Sequence, residues 1–303
     1  MPLSQPMPVV AVVMSTYNGM PYVKEQLASV QSQEGVETRV YVRDDGSTDG
    51  TVEYLRECSA AGELTLIEGK NLGVVGSFID AIAHVPEDIP YIALCDQDDV
   101  WHANKLSRAL EVLREGRQDV PRLYCSEYMF CAEDMNPTGR SHLNLIGVGF
   151  ETLLYETKVS GNTAVFNRCL ADLAVRAGAK DVFGHDWWLG LLAASMGELY
   201  FDDFVSLDYR RLNASVSPTG GNFLTILKFR IKAFVKGDQL GRITAQLRRF
   251  HQVFGERLDP QKKALVERFV YGNRLQKAFA PVRLRQIGAE ELALRLLFLM
   301  GKL

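Results

Sequence analysis

Three carboxylates stand within four residues of this chain, at Asp96, Asp98 and Asp99. They directly follow the apolar run of residues 91–95, which predicts a short buried strand. A strand that ends in clustered like charges needs a positive partner, and in an extended backbone Asp96 and Asp98 project to the same side. Both can then face one hard cation such as Mg²⁺ or Mn²⁺, because water and substrate phosphates complete the shell of such ions. A solvated acidic loop, or a helix cap ahead of Lys105, explains these acids equally well.

The elements that must position these acids follow from an alternation of short β-rich runs and helical stretches up to about Tyr209. We predict strands over residues 9–14, 38–42, 64–68, 91–95 and 123–130, and helices over residues 21–33, 51–58, 77–84 and 103–115. This alternation indicates an α/β fold with a doubly wound, mostly parallel sheet. Ligands of such sheets bind beyond the carboxyl ends of the strands. Four polar loops should therefore meet at one edge: residues 15–19, 44–49, 70–73 and 96–99.

The first three of these loops offer groups for a nucleotide. Residues 15–19 lead from a strand into a helix N-terminus, which favours an anion; a turn beside a packed Tyr17 is the alternative. Asp44, supported by Asp45, can accept the imide N3–H of uracil or thymine, although these acids also suit a turn ahead of a helix. Lys70 can approach a diphosphate or a base edge, and an ordinary loop before a helix explains it equally well. The glycines nearby do not form a dinucleotide fingerprint.

The composition is that of an ordinary soluble protein, and 303 residues can bury a large core. Its five cysteines show no zinc-binding spacing, so we expect reduced thiols in a cytosolic protein. The apolar run at residues 9–14 is interpreted as a strand and not as a signal peptide. No run approaches the roughly 20 apolar residues of a spanning helix.

The net charge of −3 hides an asymmetry along the chain. Residues 222–303 hold 17 Lys+Arg and 6 Asp+Glu, or +11, whereas residues 1–221 hold 17 and 31, or −14. We therefore expect a catalytic domain over residues 1–217 and a basic helical region over residues 218–303. The acidic part suits a metal, and the basic part suits an anionic surface.

Amphipathic stripes support helices in the basic region. Predicted apolar stripes contain Phe223, Leu227, Ile231 and Phe234, and then Ile243, Leu247, Phe250 and Phe254. The positive charge predicts docking on an anionic membrane face or on a phosphorylated acceptor. A helical cap packed on the sheet, with solvated lysines, is the alternative, and both can hold. Nucleic acid is not expected, because aromatic residues do not interleave convincingly with the charges.

Five motifs in order give the chain a family resemblance. They are Ser-Thr-Tyr-Asn-Gly at 15–19, Asp-Asp-Gly-Ser-Thr-Asp at 44–49, Asn-Leu-Gly at 71–73, Asp-Gln-Asp-Asp-Val-Trp at 96–101 and His-Asp-Trp-Trp at 185–188. Over roughly residues 8–215 the chain resembles the family 2 glycosyltransferases. The resemblance implies an inverting, metal-dependent enzyme with the GT-A fold. The fourth and fifth motifs look most like those of bacterial rhamnosyltransferases that build lipopolysaccharide or related wall polysaccharides.

The resemblance implies roles at the donor side of the site. Thr16 and Tyr17 would contact the nucleotide base and ribose, Tyr17 by stacking. Asp98 would bind the metal directly, and Asp96 would contact the ribose or a metal-bound water. Asp99 would cap the helix that starts near residue 103 or orient its neighbours, and Trp101 is expected to be a packing residue.

Three further donor contacts are expected, at Lys70, Asn71 and Arg210. The guanidinium of Arg210 matches phosphate geometry, and a surface ion pair is the alternative for this residue. Relatives often carry a histidine shortly after this arginine, where this chain has Leu212. The departure leaves open which group completes the metal shell.

At the acceptor side, Asp186 is the candidate general base, since inversion needs a carboxylate opposite the leaving group. Trp187 and Trp188 would form an apolar floor for the acceptor, or else belong to the core; we expect one of them to be buried and one exposed. Asn162 resembles a family position near the acceptor. His185 is interpreted as a supporting residue or a satisfied surface histidine.

The resulting functional hypothesis is transfer of L-rhamnose from dTDP-β-L-rhamnose to a lipopolysaccharide core or O-chain saccharide, with Mn²⁺ or Mg²⁺ as cofactor. A UDP-hexose is the second donor candidate, because Asp44 would read uracil and thymine alike. A sugar nucleotidyltransferase would need a glycine- and lysine-rich loop that residues 15–19 lack. A non-catalytic binding module is the remaining alternative. We expect a lipid-linked acceptor and a peripheral position on the cytoplasmic face of the inner membrane.

Overall fold

The predicted strands form the first half of the sheet. The computed structural model describes residues 7–212 and 239–303. Strands β1 (Val9–Thr16), β2 (Glu37–Asp44), β3 (Thr65–Glu68) and β4 (Tyr91–Cys95) pair in parallel in the order β3-β2-β1-β4. β4 is apolar throughout and β1 is apolar up to Met14, because both faces of this parallel sheet are covered. The first four predicted strands are thereby confirmed.

Helices return the chain between these strands, as predicted. They are α1 (Val23–Gln31), α2 (Thr51–Ala60), α3 (Gly73–Ala83) and α4 (Lys105–Glu115). The stripe of α4 repeats at helical spacing, and it buries Leu106, Ala109, Leu110 and Leu113. Since each crossover brings the chain back to the same side, the carboxyl ends of β1, β2 and β4 lie together at one edge.

The second half of the sheet is mixed. It contains β5 (Val100–Trp101), β6 (Arg122–Cys131), β7 (Pro137–Arg140), β8 (Val165–Asn167) and β9 (Glu198–Arg210). The full order is β3-β2-β1-β4-β8-β6-β9-β5, with β7 paired to β6. β8 is antiparallel to both neighbours, whereas β6 and β9 are parallel. The predicted fold class, a mostly parallel sheet flanked by helices, is confirmed.

Side chains alternate between two cores, one on each face of the sheet. Ala11 and Val13 of β1 face one core, and Val10 and Val12 face the other. The first core also receives α5 (Phe150–Leu153), α6 (Arg168–Ala177) and α7 (His185–Met196). α7 carries the His-Asp-Trp-Trp motif, so its packing on the sheet decides where that motif lies.

The C-terminal helices pack on the same face as α7. They are α8 (Gln239–Phe254), α9 (Pro260–Tyr271), α10 (Arg274–Ala278) and α11 (Gly288–Leu299). The second predicted stripe is confirmed, because all four of its residues, 243, 247, 250 and 254, are buried. The first predicted stripe and the domain boundary near residue 217 lie outside the described residues. In the part of the chain that the structure describes, no helix is long and apolar enough to cross a bilayer.

Candidate active site

The loops after β1 and β4 are tied together by one side chain. Oε1 of Gln97 accepts the backbone N–H of Tyr17 at 2.9 Å, and Nε2 of Gln97 donates to the backbone carbonyl of Tyr17 at 3.2 Å. A Cβ at Gly19 would lie 2.6 Å from Oε1 of Gln97, so the glycine permits this close approach. The ring of Tyr17 stays 53% exposed at the edge of the sheet. It is therefore free to meet a planar ligand.

Asp44 organises the turn that follows β2. Its carboxylate is buried and accepts four hydrogen bonds, from the backbone N–H of Gly46 (3.0 Å) and Ser47 (2.8 Å), from Ser47 Oγ (2.6 Å) and from Thr16 Oγ1 (2.8 Å). A carboxylate offers about four lone-pair sites. In this structure Asp44 and the equally buried Thr16 therefore fix the backbone, and base or ribose contacts by their side chains stay predictions.

Arg43 joins the β2 end to the loop after β3. Its guanidinium pairs with Asp45, pairs with Asp80 at 2.7 Å and donates to the carbonyl of Lys70 at 3.0 Å. Asp45 also accepts the backbone N–H of Leu72 at 3.0 Å. The sequence interpretation missed Arg43, although its position directly before two acids at a strand end was a usable signal.

Lys70 and Asn71 lie at the rim of this edge. Both side chains are exposed, and Oδ1 of Asn71 accepts the backbone N–H of Gly73 at 2.9 Å. Gly73 has a φ of +69°, a backbone conformation that glycine adopts without strain. The loop therefore presents the ammonium of Lys70 to solvent beside the β2 end, where the predicted diphosphate contact is sterically open.

The acidic loop concentrates carboxylates at the end of β4. Asp96 and Asp98 are half-buried. Burial, then repulsion from Asp98 and from Asp186, raises the pKa of Asp96 to about 7. Burial also raises the pKa of Asp98, against the lowering effects of its own backbone N–H and of Arg210. Because Asp186 acts on Asp96 electrostatically, carboxylates from two distant parts of the sequence face a common space.

Beneath this loop lies a buried polar cluster. Asp99 is fully buried and accepts a hydrogen bond from Asn162 Nδ2 at 2.6 Å. Nζ of Lys105 donates to the Asn162 carbonyl at 2.7 Å and lies 4.3 Å from the ring centre of Trp101. Burial raises the pKa of Asp99 well above its usual range and lowers the pKa of Lys105 to about 7.

This cluster decides between the two roles predicted for Asp99. The N-cap of α4 is Asn104, and no side chain caps this helix end, so the helix-cap alternative is wrong. Asp99 instead orients Asn162. Asn162 is itself buried, and its side chain faces Asp99 and Ser160 Oγ. The predicted acceptor contact at Asn162 therefore stays a prediction for a residue that has no exposed surface here.

Asp186 reaches the site from the first turn of α7. It is half-buried, and its Oδ1 accepts the backbone N–H of Trp187 at 2.7 Å. The dipole of α7 stabilises a negative charge at this position. A short 3₁₀ turn over Gly161–Thr163 packs against it: a Cβ at Gly161 would lie 2.7 Å from His185 Nε2 and 3.5 Å from the Asp186 Cβ. The turn thus holds α7 against the cluster under the acidic loop.

The aromatic residues next to Asp186 belong to the core. Trp187 and Trp188 are both buried, so the prediction that one is exposed is wrong. The indole N–H of Trp187 donates to the Leu153 carbonyl, and Trp188 packs edge-on against Phe250 with ring centres 6.0 Å apart. The physical reason is that α5 packs on Trp187 and α8 packs on Trp188, so neither ring presents an acceptor floor to solvent.

His185 is likewise buried and is not a surface histidine. Its ring stacks on Phe78 at 4.1 Å, and burial lowers its pKa.

Arg210 holds the acidic loop from the end of β9. The guanidinium is buried and donates to the carbonyls of Asp98 (3.0 Å) and Glu133 (2.6 Å) and to the carboxylate of Glu25. It also lies 4.9 Å from the ring centre of Tyr22. With these partners Arg210 fixes the backbone of Asp98, the candidate metal ligand. A phosphate contact by Arg210 stays a prediction.

The donor set fits a divalent cation that is bound mainly by water and phosphate. Within residues 7–212 and 239–303, no three His, Cys, Asp or Glu side chains form a ready metal site. Asp96 and Asp98 still offer carboxylate oxygens. Burial and then repulsion from Asp98 and Asp186 raise the pKa of Asp96, and a cation would offset both effects. Mg²⁺ and Mn²⁺ accept such a site, in which one or two carboxylates are enough.

Solved structures share this fold. The S. aureus TarS fragment 1–349 superposes with a TM-score of 0.55 at 15% identity, over 97% of this chain and 90% of that chain. Mannosyltransferase PcManGT from Pyrobaculum calidifontis, solved with GDP-Man and Mn²⁺, gives a TM-score of 0.54 at 19% identity, over 96% and 74%. The sheet with its edge of polar loops is therefore of the GT-A type.

Sequence comparison relates the first half of the chain to a known family. Residues 11–147 match the family model described as Glycosyl transferase family 2. The dTDP-rhamnosyl transferase RfbG of Shigella flexneri is 33% identical over 105 residues, 33% of this chain and 36% of that protein. The putative teichuronic acid biosynthesis glycosyltransferase TuaG of Bacillus subtilis is 30% identical over 111 residues, 36% and 43%. The chain spans well under half the length of these curated relatives.

Proposed function

We propose that this protein is an inverting glycosyltransferase that moves a sugar from a nucleoside diphosphate to an acceptor hydroxyl. One observation carries the proposal: the turn over Gly161–Thr163 packs against Asp186 while its Asn162 pairs with Asp99, so the base candidate lies beside the acidic loop. The family 2 match supports the same class. A sugar nucleotidyltransferase and a non-catalytic binding module are the less favoured alternatives, since neither needs a carboxylate at Asp186.

The donor would lie across the carboxyl ends of β1, β2 and β4. Asp98, supported by Asp96, would hold Mn²⁺ or Mg²⁺, which would neutralise charge on the departing diphosphate. Tyr17 would stack on the base, because its ring is exposed at this edge. Lys70 and Asn71 would contact the donor at the rim of this edge. Gln97 and the Asp44 turn would keep the two loops in register for this contact.

Asp186 would act as the general base. Its carboxylate would take the proton of the acceptor hydroxyl while the acceptor oxygen bonds to the anomeric carbon. The bond from that carbon to the diphosphate oxygen breaks on the opposite side, so the configuration inverts. Asp186 lies in the first turn of α7 and is half-buried, so its carboxylate is held in place beside the acidic loop, as a base at this position requires.

The donor we favour is dTDP-β-L-rhamnose, because the relative RfbG is named a dTDP-rhamnosyl transferase. A UDP-hexose is the second candidate. The acceptor would be a saccharide hydroxyl of a lipopolysaccharide core or O-chain, carried on a lipid, and the enzyme would work on the cytoplasmic face of the inner membrane.

A donor screen tests this function. The purified protein is incubated with Mn²⁺ or Mg²⁺, a polysaccharide acceptor fraction and either dTDP-rhamnose or a UDP-hexose, and release of nucleoside diphosphate is measured. We expect dTDP release that is lost in Asp98→Asn and kept in Asp88→Asn, a control at an exposed acid. If only a UDP-hexose is turned over, the donor is a UDP-hexose and not dTDP-rhamnose. If no sugar nucleotide is turned over, the protein is not a glycosyltransferase.

A further inference from the structure

An apolar surface covers the outside of the C-terminal helices. Seven of the fourteen exposed large apolar side chains among the described residues fall between residues 271 and 300. Single exposed apolar residues are ordinary, but their concentration in one segment marks an interaction site. We call the following six the C-terminal apolar surface: Leu275, Phe279, Leu292, Leu296, Leu299 and Met300.

The spacing of these residues places them on the outer faces of α10 and its neighbour α11. Leu275 and Phe279 are four residues apart, and Leu292, Leu296 and Leu299 follow each other at four and three residues. α11 already buries Leu294 and Phe298 on its inner face. A helix of a water-soluble protein needs only one apolar face. Folding alone therefore does not explain the second, exposed apolar face of α11.

Arg295 does not interrupt this surface, although the sequence places it in the middle of α11. Its guanidinium turns inward, where it pairs with Glu291 and donates to the carbonyls of Lys277, Ala278 and Ala280 at 3.1–3.2 Å. These carbonyls lie at or just beyond the C-terminal end of α10, where carbonyl groups are left over by the helix. Arg295 therefore fastens α11 to α10, so that the outer faces of the two helices form one surface.

The charges around this surface have one sign. Arg274, Arg283 and Lys302 are exposed, and Arg274 approaches the backbone of Gly301 beside Met300. The two acids of residues 271–303 are turned inward, Glu290 being buried and Glu291 paired with Arg295. Every fully exposed charge in this segment is consequently basic.

We propose that the C-terminal apolar surface docks this protein on an anionic lipid bilayer. Apolar side chains beside exposed Lys and Arg are the combination that holds a protein in a lipid interface, where the chains enter the acyl boundary and the cations meet the headgroups. Leu292, Leu296 and Leu299 would lie in the membrane plane on the outer side of α11. This docking goes beyond the proposed transfer reaction and does not depend on it.

Charge argues against a second copy of this chain as the occupant. A two-fold contact through this surface would bring Arg274, Arg283 and Lys302 close to the same three cations of the other copy, and no exposed acid in residues 271–303 would offset them. Anionic headgroups supply the missing negative charge.

Vesicle flotation tests the proposal on the whole chain, without any sugar nucleotide. Vesicles of phosphatidylcholine alone are compared with vesicles that contain about one third phosphatidylglycerol, and salt is raised until the Debye length falls from about 10 Å to about 3 Å. We expect binding to the anionic vesicles, weaker binding at high salt, and a loss of about tenfold or more in Phe279→Ser/Leu296→Ser. Tyr200→Ser is the matched control, because Tyr200 is an exposed aromatic residue on β9, and it should bind like the wild type.

Three results would overturn the proposal. The first is equal binding to both kinds of vesicle, and the second is full binding by the double variant. In the third, the protein does not bind vesicles, light scattering shows a dimer, and Phe279→Ser/Leu296→Ser dissociates that dimer. The last result would assign the surface to a second copy. Circular dichroism of each variant shows that the fold is kept, and activity of the variants toward a soluble acceptor separates docking from transfer.

Discussion

Replacing Lys105 with methionine tests whether a buried ammonium supports the acidic loop. Lys105 is 1% exposed, and its Nζ donates to the Asn162 carbonyl at 2.7 Å. Methionine keeps much of the length and volume of lysine, so the substitution removes the charge with little change in packing. The titratable groups that act on Lys105 are Cys95, Asp99 and Asp96.

The direction of the effect follows from the two pKa values of Lys105. Burial lowers its pKa from 10.5 to about 7. Between these values the unfolded chain holds a proton that the folded protein lacks, so the free energy of unfolding rises with pH. From about pH 7 to about pH 9 this rise is roughly 2 kcal/mol, at about 1.4 kcal/mol per pH unit above the folded pKa and half of that near it. Loss of the Lys105 cation also raises the pKa of Asp96 in the variant. The variant therefore loses more stability as pH rises, and its difference from the wild type grows further.

Urea unfolding in the presence of EDTA, followed by tryptophan fluorescence, measures this effect. The quantity compared is the free energy of unfolding of the wild type minus that of Lys105→Met, at about pH 7 and about pH 9. We expect the difference to grow by roughly 2 kcal/mol in favour of the wild type. Lys180→Met, at an exposed lysine, is the control and should show no such growth. A difference that stays constant or shrinks with pH would refute the buried-ammonium interpretation.

Three further outcomes are expected. Without metal, the pKa of Asp96 is raised from 3.8 to about 7, so the folded protein keeps a proton that the unfolded chain has lost. The melting temperature should therefore fall as pH rises through this window and recover with Mn²⁺. Asp96→Asn should make the fall smaller, and the raised pKa values of Asp98 and Asp99 account for the rest. Gly161→Ala should lower turnover at least tenfold because its Cβ displaces His185, whereas Gly288→Ala, which meets open space, should not; equal rates would contradict this. Trp188→Ala should cost about 3–5 kcal/mol in urea unfolding, and a cost below about 1 kcal/mol would place Trp188 outside the core.

The sequence predicts the parallel half of the fold well, because its signals there are local. Apolar runs with helical stretches between them locate β1 to β4 within a few residues. β8 escapes prediction because it has only three residues and its place between β4 and β6 is set by pairing. The burial of Trp187 and Trp188 follows from the packing of α5 and α8, which no pattern near residue 187 reveals.

The site residues also fall into two groups: those that local sequence signals locate, and those that depend on contacts between distant segments. Spacing brings the acids of the β4 end to the correct edge, since strand ends follow from the strand pattern. The partners of Asp99 and Arg210 are 63 and 112 residues away in sequence, so their supporting roles appear only in the folded chain. The supporting role of Lys105 escapes prediction for the same reason, because a carbonyl contact between distant segments leaves no periodic trace in the sequence.

The most direct test of the proposed function is donor binding and turnover measured side by side for Asp186→Asn. Asparagine keeps the oxygen that accepts the Trp187 N–H but cannot take a proton. We expect donor affinity within about threefold of wild type and turnover lower by about 10²–10⁴-fold, while Asp181→Asn, at an exposed acid just before α7, retains both. Undiminished turnover in Asp186→Asn would contradict the assignment of the base, and loss of donor binding together with turnover would show that Asp186 serves the donor pocket instead.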